Sequence, residues 1–220
     1  MRDVIARVVE LYAGSSRFAR GFVGGKLQTD PATPAILALA TRLGGFGMIA
    51  DLGCGRGQVG LALLVAGLAE RVRGLDLDPG KIADANRAAG ALAAAGGPPA
   101  HFVVADLSTA TIEPCDTALI FDVLLQMPDA TQHAVIGRMA AAARRRVIIR
   151  AFDRDRGWRA WVGIGMERLG CLLRRDGSSF RPMPLAEIAA PLEAAGFTVS
   201  VTPCWGWTPL PNVMLIAERA

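Results

Sequence analysis

Asp51-Leu-Gly53-Cys54-Gly55-Arg-Gly57 is the stretch of this chain whose residue types and spacing point most directly to chemistry. Glycine at every second position lets a backbone turn sharply and approach a ligand with no Cβ in the way. An apolar run, 46–50, precedes the turn and a helical run, 58–69, follows it. Strand, glycine turn and helix together form a cradle for a nucleotide-type cofactor. The acid at the first position narrows the ligand, because an anion there repels a phosphate and favours a group carrying positive charge. Three further acids, Asp76, Asp106 and Asp122, each follow an apolar run. Asp76 stands about 20 residues beyond the glycines, where a carboxylate can accept from both hydroxyls of a ribose. Asp106 is placed to accept from an adenine amino group, and Asp122 to lie at the reactive end of the ligand. Each acid alone has a plain explanation as a cap or turn residue; four at successive strand ends weaken it.

The glycines match two patterns. Gly55-Arg-Gly57-Gln-Val-Gly60 is also a literal GxGxxG, the dinucleotide fingerprint. Starting the turn at Gly55 leaves Asp51-Leu-Gly-Cys as an awkward strand end, which favours the longer motif.

The elements that must position these residues follow from periodicity. A helix is expected over 3–13, a Gly- and Ser-bearing stretch over 14–28, and a second helix after Asp30-Pro31, with Asp30 as its cap. Strands are expected over 46–51, 72–76, 101–106, 117–122, 146–152, 197–202 and 212–217. Helices are expected over 58–69, 79–95 (capped by Asp78), 129–143, 158–173 and 184–195. Apolar strands alternating with helices make a parallel sheet covered on both faces. The proline-rich loop 203–211 is too short for a parallel crossover, so the last strand must run antiparallel to its neighbour. The expected fold is α/β, a Rossmann-like three-layer sandwich whose seven-stranded sheet is mostly parallel with an antiparallel last strand. One domain spans 1–220, with a helical cap at 1–45 and a cofactor-binding core at 46–220.

Composition limits the function classes. The chain has 220 residues, 52% of them hydrophobic, and a formal net charge of +4. That charge is too mild for a dedicated nucleic-acid binder. Cys54, Cys115, Cys171 and Cys204 are far apart and form no CxxC pair, and there are only two histidines, so no metal site is expected. The apolar run 59–69 is shorter than the roughly 20 residues a membrane span needs, and the N-terminus shows no signal-peptide pattern. A cytoplasmic location is expected.

Asp51-x-Gly53-x-Gly55-x-Gly57, with Asp76 after the second strand and Asp106 after the third, resembles the class I S-adenosylmethionine-dependent methyltransferases. The resemblance runs from about residue 46 to the C-terminus and implies the seven-stranded sheet with a reversed last strand. It also implies S-adenosyl-L-methionine as cofactor. Asp51 and the Gly53, Cys54, Gly55 and Gly57 turn would hold its methionine part, Asp76 its ribose, Asp106 and Leu107 its adenine, Asp122 would lie near its amine, and Leu77 would also touch the cofactor. A narrower resemblance joins Gly25-Lys26-Leu-Gln-Thr29-Asp-Pro31 and Trp205-Gly-Trp-Thr-Pro-Leu-Pro-Asn212 to small bacterial methyltransferases of aryl polyene type pigment biosynthesis. It would set Lys26 and Thr29 near the methionine end.

Methyl transfer needs an acceptor aligned with an already activated methyl group, and a base where the acceptor is a hydroxyl or carbon. Asp122 is the expected catalytic residue. His133 is expected on a solvent-facing helix surface, and Asp153 in a surface ion-pair cluster with neighbouring arginines. In the segment 158–175, Trp158, Val162, Leu169 and Leu172 share a helical face expected to pack on the sheet. A lid over an apolar substrate and a membrane-surface contact are its functional readings, the latter not favoured. Trp205 and Trp207 are candidates for lining an acceptor pocket. The leading expectation is methyl transfer to a small, apolar or aromatic acceptor, carrier-bound ones included. An RNA or DNA methyltransferase is the alternative suggested by the arginines of 144–181, although the Asn-Pro-Pro-Tyr type signature is absent after the fourth strand. An NAD-dependent oxidoreductase is the alternative suggested by GxGxxG. Oligomeric state is open.

Overall fold

A computed structural model describes the backbone of residues 1–174 and 180–219, with side chains of residues 167–174 left aside. The seven strands are β1 (Met48–Leu52), β2 (Arg71–Asp76), β3 (Ala100–Val104), β4 (Cys115–Phe121), β5 (Ala143–Phe152), β6 (Thr198–Pro203) and β7 (Asn212–Glu218). They form one sheet in the order β3-β2-β1-β4-β5-β7-β6. β1, β2 and β3 pair in parallel, while β7 is antiparallel to both β5 and β6. The α/β fold and reversed last strand are those expected from the chain.

β7 lies inside the sheet although it is last in the chain. Its first six residues are buried, Asn212 to Ala217, whereas β6 is almost wholly exposed. A strand whose two faces are covered reads as a continuous apolar run, and Val-Met-Leu-Ile-Ala is one. Thr-Val-Ser-Val-Thr-Pro suits an edge, where proline costs no ladder bond.

Two compact units are present, Met1–Leu119 and Ile120–Ala220. The first contains α1 (Arg2–Leu11), α2 (Arg17–Thr29), α3 (Ala32–Arg42), α4 (Gln58–Val65) and α5 (Pro79–Ala94). The Gly- and Ser-bearing stretch 14–28, for which the sequence named no element, is therefore mostly helix. Ser16 caps α2 by accepting from the Ala19 amide, and Ala19, Val23 and Leu27 bury one face. Gly24 lowers helix propensity but permits close packing: a Cβ there would stand 3.3 Å from Val9 of α1. The N-cap of α3 is Pro31, one residue later than expected, and Asp30 Oδ1 accepts from the Ala32 amide at 2.9 Å from just outside the helix. Asp78 caps α5, accepting from Gly80 and Lys81 at 2.8 and 3.0 Å.

The second unit contains α6 (Asp129–Ala142), α7 (Trp158–Arg174) and α8 (Leu185–Ala194). In α7 the expected packing is reversed. Trp158 and Val162 face outward, while Ala160 and Gly163 face inward. A Cβ on Gly163 would come within 2.6 Å of the Phe152 ring, so only a small residue lets the helix sit there. Leu169 and Leu172 lie outside the described side chains. No described helix is long and apolar enough to cross a membrane.

Candidate functional site

The glycine turn leaves the end of β1 and enters α4 in the left-handed region, at φ 67° for Gly53, 58° for Gly55 and 75° for Gly57. Glycine alone adopts these angles without a Cβ penalty. The Gly53 and Cys54 amides both donate to the Leu75 carbonyl, at 2.7 and 3.0 Å. The Gly55 amide donates to Asp76 Oδ2 at 2.8 Å, and the Asp78 amide to Asp76 Oδ1 at 3.0 Å. Asp76 thus pins the turn to the end of β2. A carboxylate offers about four lone-pair sites, so it can accept further donors from a ligand.

Asp51 is buried near the end of β1, with the Gly60 amide in the first turn of α4 close to its carboxylate. Its Oδ2 has no hydrogen-bond partner. Burial, and then the negative charge of Asp76, raise its pKa from 3.8 to about 7, against the lowering effect of the Gly60 amide. Gln58, also buried, leaves its Oε1 without a partner and faces Gly55. Two unpartnered acceptor oxygens therefore flank the turn. They fit a ligand that brings a cation or hydrogen-bond donors, and they disfavour a phosphate. This is the fit expected for a sulfonium- and ammonium-bearing donor.

A pH dependence follows from Asp51. Below pH about 4 folded and unfolded chains both carry the proton, and the contribution of this group to stability is complete. As pH rises towards 7 the unfolded chain releases its proton first, and a contribution on the order of 2–4 kcal/mol is lost. We expect Asp51→Asn to remove this part of the slope in urea denaturation of the ligand-free protein between pH 4 and 8. Identical slopes in variant and parent would refute the assignment.

The turn is also held from the N-terminal side. The Tyr12 hydroxyl donates to the Arg56 carbonyl. The Arg56 guanidinium donates to Asp84 Oδ2 of α5 at 3.1 Å and lies over the Phe18 and Phe22 rings of α2, at 5.7 and 5.1 Å. Residues 1–45, expected as a cap, thus hold the glycine turn directly within one compact unit. Gln58, Tyr12 and Arg56 carried no legible signal, since each depends on a neighbour distant in the chain or on burial.

The other expected residues are placed as follows. Leu77 is 68% exposed at the end of β2, an apolar side chain available to a flat ring. Asp106 lies two residues beyond β3, exposed, its Oδ1 accepting from the Ser108 amide at 2.8 Å, and Leu107 is buried. Lys26 is on α2, its Nζ 3.9 Å from Asp30 Oδ2. Asp122 belongs to the second unit and follows β4. It is the non-glycine residue with positive φ, 61°, among the described residues. Such strain concentrates at functional sites. Arg150 Nη1 of β5 donates to its Oδ2 at 2.7 Å, and the Gln126 side chain to its carbonyl at 2.8 Å. His133 is half exposed, 3.8 Å from Glu187 Oε2. Asp153 is buried rather than superficial: its Oδ1 accepts from the Asp155 amide at 3.1 Å and its own amide donates to the Pro211 carbonyl. It therefore shapes a turn. No group of acids, cysteines and histidines that could hold a metal occurs among the described residues.

Residues 49–146, which include the glycine turn, Asp76, Asp106 and Asp122, match the family model described as a methyltransferase domain. Residues 49–146 are similar to a methyltransferase domain. No curated protein matches the chain. Solved structures do. Magnesium protoporphyrin IX methyltransferase from Synechocystis PCC 6803, with bound SAH, is 21% identical. The match covers 98% of this chain and 93% of that one at a TM-score of 0.67. The N-methyltransferase NodS from Bradyrhizobium japonicum WM9, also with S-adenosyl-L-homocysteine, is 13% identical. It covers 98% of each chain at 0.61. An O-methyltransferase family 2 protein from Planctomyces limnophilus DSM 3776, in complex with apigenin, is 15% identical. It covers 79% of this chain and 51% of that chain at 0.58. The fold is that of the class I, S-adenosylmethionine-dependent methyltransferases.

Proposed function

We propose that residues 1–220 act as one methyltransferase domain that moves the methyl group of S-adenosyl-L-methionine to a small apolar or aromatic acceptor, carrier-bound ones included. The observation that carries this is the acidic, acceptor-lined cradle: Asp51 with an unpartnered buried oxygen, beside a glycine turn pinned by Asp76. Two carboxylates at such a turn repel a pyrophosphate and suit a cationic donor. The donor brings a methyl group already activated by its sulfonium, so the protein has to position and desolvate more than to activate. Asp51, Gln58 and the Gly53–Gly57 backbone would hold the methionine part, with Lys26 near the same end. Asp76 would accept from the ribose hydroxyls, and Leu77, Asp106 and Leu107 would receive the adenine. Asp122, ion-paired to Arg150, would serve the amine or take a proton from the acceptor.

The acceptor class rests on aromatic residues late in the chain, among them half-buried Trp205 held by Arg156 and Arg159 at 4.9 and 5.1 Å. Neighbours named for a porphyrin and in complex with apigenin support flat acceptors. Against nucleic acid, several arginines of 144–181 are spent internally: Arg146 on Glu218, Arg150 on Asp122, and Arg159 on the Thr208 carbonyl.

Calorimetry with S-adenosylmethionine and with NADH tests the donor. Binding of the first without the second is expected; no binding of the first, or tight binding of NADH, would sink the proposal. Turnover of aromatic acceptors but not of RNA tests the acceptor class.

A further inference from the structure

α7 is anchored by small residues and turns its large ones to solvent. Trp158, Trp161, Val162, Gly165 and Met166 are all exposed, Trp161 by 81% and Trp158 by 65%. Their spacing, i, i+3, i+4, i+7 and i+8, is one continuous helical stripe. The helix cannot roll to bury them, because the opposite side carries Ala160, 3% exposed, and Gly163, whose position against Phe152 and Pro211 has no room for a Cβ. The loop before β7 adds Trp207, also 81% exposed. That loop is tied to the start of α7: Arg159 Nη1 donates to the Thr208 carbonyl at 2.9 Å, and its guanidinium lies over Trp158 and Trp205 at 5.2 and 5.1 Å.

Three outward indoles on one short helix and its tethered loop exceed the single exposed apolar residues that ordinary surfaces carry. The surround is basic. Arg154 and Arg156 are exposed next to Trp158, with exposed Asp155 between them. We propose that this face docks on an anionic lipid surface, with the indoles in the headgroup layer and the arginines on lipid phosphates. Tryptophan and arginine are the residues that suit this layer, since each offers an apolar body and a polar end. The stripe is the convex side of a helix, which a bilayer can receive without a matching groove. A second copy of the chain is disfavoured, because a two-fold contact would bring Arg154 and Arg156 against their own counterparts. The proposal goes beyond methyl transfer and does not depend on the acceptor.

The test is co-sedimentation with vesicles of mixed phosphatidylglycerol and phosphatidylcholine, and of phosphatidylcholine alone, with tryptophan emission recorded. The native chain is expected to bind the mixed vesicles, with a blue shift. Trp161→Glu is expected to weaken binding by roughly tenfold or more, with its loss of apolar contact. It should leave the urea midpoint and S-adenosylmethionine binding unchanged, because Trp161 is solvent-exposed. Arg154→Gln and Arg156→Gln should each cost about fivefold on mixed vesicles only. No binding by the native chain, or equal binding by Trp161→Glu, would overturn the proposal. So would Trp161-dependent capture of an acidic carrier protein, or Trp161-dependent dimerisation, without vesicle binding.

Discussion

Asp76→Ala is expected to weaken S-adenosylmethionine binding by at least tenfold in calorimetry. In the folded chain this carboxylate accepts from the Gly55 amide at 2.8 Å and the Asp78 amide at 3.0 Å. Alanine leaves both donors without their charged acceptor and removes the acceptor proposed for the ribose. A hydrogen bond to a charged group contributes about 1.5–3 kcal/mol, and the loss here involves more than one. Asp76→Asn separates the two roles. Its amide oxygen can still accept from Gly55, so the turn should hold and unfolding should shift little, while affinity for the donor should still fall because the charge is gone. Unchanged affinity in both variants would mean that the donor does not lie at the end of β2.

The second large effect is on the fold itself. Gly57 sits at φ 75°, and a Cβ there would stand 2.6 Å from Phe102 Cζ and 3.2 Å from Ala85 Cβ. Gly57→Ala combines a left-handed backbone penalty of about 1–2 kcal/mol with an overpacking cost of about 1–3 kcal/mol. Phe102 cannot easily yield. Its ring is buried against Gly57 and Gly74, and its backbone is bracketed by Asn86, which donates to its carbonyl at 2.8 Å and accepts from its amide at 3.1 Å. We expect the urea midpoint to fall by the equivalent of about 2–5 kcal/mol. Adding Phe102→Leu should return the steric share and leave the backbone share, so the two substitutions should be non-additive. Strict additivity would show that Phe102 is not what fills the space above the turn.

These variants bear on how much of the molecule was legible in the chain. The glycine turn was, because every second residue had to be glycine for a local reason, its φ. The strand ends bearing Asp76 and Asp122 were, because apolar runs stop there. The reversal of β7 was, since the nine-residue proline-rich loop 203–211 cannot make a parallel crossover. α2 was not, because Gly21, Gly24 and Gly25 argue locally against a helix and only contact with Val9 makes Gly24 favourable. The packing of α7 was misread for a related reason. Its apolar periodicity was visible, but periodicity names a face without naming what the face meets. Ala160 and Gly163, chosen by Phe152 and Pro211, settled which side turned inward.

From its sequence alone this chain determined most of its elements, their alternation and the charge of its glycine turn, because each depends on residues a few positions apart. The tertiary structure alone decided that β7 enters between β5 and β6, that Asp76 clamps Gly55, and that Tyr12 and Arg56 tie the N-terminal helices to the turn. It also decided that Asp51 is buried with an unpartnered oxygen. Each of these depends on partners 21 to 44 residues away, as for Gly55 with Asp76 and Tyr12 with Arg56, or on which strand covers which. Such pairings are set by competition for burial across the whole chain, a quantity no local pattern contains.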